Sequence, residues 1–148
     1  MKPEIRMQKI WFDDDMIELK IEVSDGCSLF STKVYVGYET LASTVTALTK
    51  FRDKVYGGLY DILFGEFGPE YASGAFSARL HFARPGKLYV TCKMESPFAE
   101  FALTKVASQA TLYLRTEPVL LDNFIAELKA LDAKKRDDAT LEAIQDPN

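Results

Sequence analysis

Residues 16–23 read MIELKIEV, and this short run constrains the chain more than any other. Ile17, Leu19, Ile21 and Val23 fall on one face, Glu18, Lys20 and Glu22 on the other. A strict period of two with branched apolar residues specifies a strand packed on one side. Ser24-Asp25-Gly26 then supplies the positive φ of a tight turn. The chain returns as CSLFSTKVYVG, with Val34 and Val36 inward and Lys33 and Tyr35 outward. EIRMQKIWF before this hairpin predicts another strand, with Asp13–Asp15 as the turn between.

The period then changes. Leu41, Val45, Leu48 and Phe51 recur at steps of four, three and three, which predicts an amphipathic helix over 40–54. Thr40 is the expected N-cap, and Gly57-Gly58 the end. Two strands follow around an Arg84–Lys87 turn. AFSARLHFA places Phe76, Ala78, Leu80 and Phe82 inward and Ser77, Arg79 and His81 outward. KLYVTCKME places Leu88, Val90, Cys92 and Met94 inward and Tyr89, Thr91, Lys93 and Glu95 outward. SPFAEFALTK reads as irregular or an edge, because Pro97 cannot donate to a ladder. VASQATLYLRT alternates again, with Leu112 and Leu114 opposing Tyr113 and Arg115. A second helix is expected with Thr116 as cap, Pro118 in its first turn and a stripe of Leu120, Leu121, Phe124, Ile125, Leu128 and Leu131.

Strands joined as hairpins pair antiparallel. The expected fold is therefore α+β: a single twisted antiparallel sheet of about six strands with two helices packed on one face. Residues 1–131 read as one domain without internal repeat, and 132–148 as a polar, flexible tail with a short helical piece at TLEAI.

The chain has 148 residues, a formal charge of −4 and 47% hydrophobic residues, an ordinary globular balance. Its one basic cluster, KKR at 134–136, is followed at once by Asp137 and Asp138. Nucleic acid is not an expected partner, since phosphate binding needs a concentrated basic patch. The N-terminus lacks the apolar stretch of a signal peptide, and no apolar run reaches membrane-spanning length. A cytoplasmic location is the expectation. Cys27 and Cys92 form no metal spacing. Free thiols are the expected state, and a long-range disulfide the alternative.

The outward positions supply candidate binding residues: Tyr35, Arg79, His81, Tyr89, Tyr113 and Arg115, of types favoured at binding hot spots. A solvated face held by cross-strand pairs is the plainer alternative. His81 is the single histidine. No nucleophile pattern accompanies it, so no catalytic residue is assigned. Asp13–Asp15 lacks the register of a calcium loop, and no metal site is expected. The stretch FGEFGPEYASGAF, residues 64–76, contains no nucleotide-binding glycine pattern, and no cofactor is expected. It reads either as a shaped connection between strands or as a partner-binding loop, with Glu66, Glu70 and Tyr71 as candidates and Phe64, Phe67 and Phe76 as further aromatics.

The order of elements, with VSDG…VYVG, FGPEYASGAF and LYLRTEP, resembles small uncharacterised bacterial domains and immunity proteins of polymorphic toxin systems. The resemblance covers most of residues 5–131. It implies a compact acidic binder without chemistry of its own that covers a basic toxin face. The expected function is thus a non-enzymatic protein-binding domain using the open sheet face, with a protein partner or self-association. The alternative is a small-molecule binder or small enzyme with a pocket near Phe64–Phe76 and His81.

Overall fold

The computed structural model describes residues 1–71 and 73–145. Three strands open the chain: β1 (Glu4–Phe12), β2 (Met16–Ser24) and β3 (Leu29–Gly37). Helix α1 (Tyr38–Arg52) and β4 (Leu59–Phe64) follow. Next come β5 (Ala75–Arg84), β6 (Lys87–Glu95), and a hairpin of β7 (Ala99–Phe101) and β8 (Thr104–Val106). The chain continues as β9 (Gln109–Thr116), α2 (Pro118–Asp132) and β10 (Asp138–Glu142).

The expected single sheet of six strands is not what forms. Among the described residues, ten strands make two four-stranded sheets and the small hairpin, all antiparallel. Sheet A runs β10-β1-β2-β3, and sheet B runs β4-β5-β6-β9. The reason is the connection at Gly37: α1 starts at the residue after β3, and the strand that follows the helix joins β5 rather than sheet A. Alternation specifies which face of a strand is buried, but not which strand lies beside it.

Leaving aside the β7–β8 hairpin, the topology repeats. Strand-strand-strand-helix-strand occurs as β1-β2-β3-α1-β4 and again as β5-β6-β9-α2-β10. The last strand of each run pairs with the first strand of the other, β4 with β5 and β10 with β1. This exchange ties the halves together, and no sequence repeat announces it.

The helices lie side by side, and both join one core with both sheets. Leu41, Thr44, Leu48 and Phe51 of α1 are buried, as are Leu121, Phe124, Leu128 and Leu131 of α2. Phe51 stacks on Phe82 at 5.0 Å. A fully buried side chain of this size contributes roughly 1.5–3 kcal/mol, so the helices are held by docking. Thr44 lowers helix propensity, but its hydroxyl donates to the Thr40 carbonyl at 2.8 Å and is satisfied in place. The caps differ from expectation: Gly37 and Glu117 precede the helices, without side-chain cap bonds, and α1 ends at Asp53. Thr116 is instead buried and donates to the Glu142 carbonyl.

The expected flexible tail is also corrected. Ala139 and Leu141 are buried, and β10 pairs with β1 in the register Ile5↔Leu141 and Met7↔Ala139. Two apolar residues are too short a run to show a period. Residues 146–148, the end of that tail, lie outside the described residues. Both cysteines are free thiols, Cys27 exposed and Cys92 buried, and burial pushes the Cys92 thiol up to about 12.

The sheets meet at two seams. The Thr32 hydroxyl donates to the Glu95 carbonyl at 2.8 Å, joining β3 to β6. At the other edge the Ile144 amide donates to the Arg115 carbonyl at 2.7 Å. The β7–β8 hairpin, in contrast, has all its strand residues exposed, and Ala102 at its tip has a φ of 57°.

Candidate functional site

The outward residues of the expected single face divide between two sheets. On sheet B, cross-strand pairing aligns them in rows: Leu59-His81-Tyr89-Arg115, then Asp61-Arg79-Thr91-Tyr113, then Leu63-Ser77-Lys93-Thr111. Five candidates therefore share one outer face. The Arg79 guanidinium grips Asp61 with two bonds of 2.8 and 3.0 Å. That hydrogen bonding holds the Asp61 carboxyl below its ordinary value. His81 faces Tyr89, not Glu95, and its row offers no carboxylate and no nucleophile.

Tyr35 sits on sheet A. The bulge after Lys9 shifts the register so that Trp11, Glu18 and Tyr35 form one cross-strand row. The rings of Trp11 and Tyr35 meet edge to face at 6.1 Å, from strands on either side of Glu18. Both are nearly half exposed.

Glu66, Glu70 and Tyr71 lie in the loop of residues 65–74, which arches from β4 to β5. Its ends are close together, as in an Ω-loop. Gly65 has a φ of 75°, and a side chain there would meet the backbone of Gly74. At Gly74 a Cβ would strike the Thr32 hydroxyl and the carbonyls of Lys33 and Glu95. Only glycine permits this crossing of loop and β3. Phe64 and Phe76, at the loop's roots, are buried against each other at 6.3 Å. They belong to the core. His81 lies five residues along β5 from Phe76, roughly 17 Å of strand.

Glu95 anchors the loop. Read as outward from alternation, it is only 2% exposed, because parity breaks at the strand end, where Met94 and Glu95 are both buried. Its carboxylate accepts from the Gly68 amide and from Gln109 Nε2, both at 2.9 Å. A buried carboxylate needs such partners. The anchored loop carries Tyr71, whose phenol the neighbouring Glu66 carboxylate pushes above its ordinary value.

Between the loop and sheet A opens a cleft of about 550 Å³ lined by Glu18, Lys33, Tyr35, Glu70, Tyr71, Ser73 and Pro97. It unites three candidates, Tyr35, Glu70 and Tyr71. Glu18, Lys33, Trp11, Pro97 and Glu95 were not among them. Trp11 depends on a bulge that no periodicity reveals, and Pro97 comes from a segment with no regular pattern. On sheet B, Leu59 and Leu63 are more than half exposed. They escaped notice because LYDILF is apolar on both faces. Among the described residues no three His, Cys, Asp or Glu side chains gather as a metal ligand set, and no helix is long and apolar enough to cross a membrane. No family model, curated protein or solved structure matches this chain.

Proposed function

We propose that this chain is a non-enzymatic protein-binding domain, immunity-like in role and cytoplasmic, that engages a basic protein partner through the outer face of sheet A and the 65–74 loop. The observation that carries this reading is the set of exposed aromatics on sheet A and the loop: Trp11, Tyr35, Phe67 and Tyr71 are each 39–45% exposed, and Tyr35 and Tyr71 line the cleft. Tyrosine, tryptophan and phenylalanine are enriched where partners dock, because they add contact area at small entropic cost. Acidic groups surround them. Asp13, Asp14 and Asp15 turn the chain just beyond Trp11, Glu18 lies on the strand between those of Trp11 and Tyr35, and Glu66 and Glu70 stand on the loop. Such a field speeds encounter with a basic surface and orients it.

The test is native mass spectrometry of tagged chain drawn gently from its source cells, with Tyr35→Ala and Tyr113→Ala variants beside it. A protein of fixed stoichiometry that Tyr35→Ala loses and Tyr113→Ala keeps supports the reading. Retention by Tyr35→Ala overturns the assigned face. A pure homo-oligomer overturns the separate partner, and a retained small molecule would favour the cleft as a ligand pocket.

A further inference from the structure

The cleft between the 65–74 loop and sheet A has a charge balance that identifies its occupant more closely. We infer that it receives an arginine side chain presented by the protein partner. The inference rests on the reading above and adds the chemistry of one contact.

Three features converge. The volume of about 550 Å³ lies within the range of ligand-sized sites, roughly 300–1,000 Å³. Its walls include the aromatic rings of Tyr35 and Tyr71 and the ring of Pro97. Trp11 meets the Tyr35 ring edge to face at 6.1 Å. Its charged lining is Glu18, Glu70 and Lys33, which leaves one uncompensated negative charge. Glu66, the other carboxylate of the loop, does not line the cleft. Among the described residues, neither Glu18 nor Glu70 takes part in an ion pair within the chain. A monocation neutralises the cleft.

Guanidinium suits these walls better than ammonium. It is planar, weakly hydrated, stacks on aromatic faces and offers paired donors to a carboxylate. An ammonium group is compact and strongly hydrated, and Lys33 already places one at the site. Lys33 opposes the incoming cation, so its removal should tighten binding. An anionic or zwitterionic ligand would respond in the opposite sense.

The experiment uses the full chain and N-acetylarginine amide as probe, with N-acetylcitrulline amide as its neutral isostere. Trp11 is the single tryptophan, and its emission reports on Tyr35 beside it. Chemical shifts of the Gly68 and Glu70 amides report on the loop. We expect saturable binding of the arginine probe and none of the citrulline probe. Glu18→Gln and Glu70→Gln should each weaken it about five- to tenfold, as loss of a charge-assisted contact does. Tyr71→Phe, which keeps the ring, should bind, and Lys33→Ala should bind more tightly. Absence of saturation, equal binding of citrulline, or indifference to both glutamate substitutions overturns the inference. If the arginine probe fails while Tyr35→Ala still loses a protein partner, only the arginine contact falls and the binding face stands.

Discussion

The two outer sheet faces are built from the same parts and finished differently. Each belongs to a four-stranded antiparallel sheet carrying tyrosines and charged residues. Sheet B presents rows in which Asp61 is held by Arg79 over a smaller depression of about 260 Å³, and its cations Arg79, Lys93 and Arg115 lie among exposed leucines and tyrosines. Sheet A is bordered by a loop that turns a comparable surface into a cleft with acidic walls. The difference is made by Gly74, Gly65 and Glu95, which hold the loop against β3 and β6. Concavity, and with it selectivity, arises from a few residues outside the repeating pattern.

The most severe way to break the cleft is Gly74→Ala. The new methyl group meets carbonyls of two strands, and backbone cannot yield as a flexible side chain would. We expect a loss of about 3 kcal/mol in urea unfolding, at the upper end for overpacked sites. A change below about 0.5 kcal/mol would show that the crossing does not frame the loop. Glu95→Ala comes next. It strands the Gly68 amide and the Gln109 side chain, at a cost of about 2 kcal/mol. Glu95→Gln should cost less, because an amide oxygen still accepts one of the two bonds. Hydrogen exchange sharpens the contrast: in Glu95→Ala the Gly68 amide should lose protection while the β5 amides on sheet B keep theirs. Uniform loss across both sheets would contradict a local anchor.

These residues also mark where the sequence stops being legible. Strand faces could be read wherever one side is dry: Ile17, Leu19, Ile21, Val34 and Val36 are buried as their alternation requires. The helices start within two residues of their expected positions, because a stripe at steps of three and four has no other use. Pairing partners are a different matter. Nothing within β4 or β10 states that it crosses to the other half of the molecule. Of the candidate residues, Tyr35, Glu70 and Tyr71 meet at the cleft, although they come from strand and loop far apart in the chain. Their companions Trp11 and Pro97 were hidden by a bulge and by an irregular segment, and Glu95 by a parity break in the last residue of its strand.

A smaller effect separates the two faces directly. Tyr35→Ala removes an edge-to-face partner of Trp11 and should cost about 1 kcal/mol. Tyr113→Ala, on a side chain 70% exposed, should change stability by less than about 0.5 kcal/mol. Thermal unfolding of both variants decides the matter. Equal costs would mean that the Trp11–Tyr35 contact adds nothing beyond a surface tyrosine.

The smallest effect concerns the sheet B face and its dependence on pH. Asp61 has its carboxyl lowered chiefly by hydrogen bonds from Arg79. A carboxyl lowered in the folded state binds its proton less readily there than in the unfolded chain. Its contribution is therefore present above the unfolded value, about 3.9 for aspartate, and is lost as pH falls through the folded value. Asp61→Asn should be slightly less stable than the parent chain at pH 7, and the gap should close as the medium is acidified below pH ~4. Because the pair is exposed, salt should also shrink the gap at neutral pH. A gap that persists in acid, or that ignores salt, would mean that packing of the Asp61 side chain rather than its charge holds this part of sheet B. The sheet B face would then resemble the cleft in being shaped by contacts, and the contrast between the two surfaces would rest on the 65–74 loop alone.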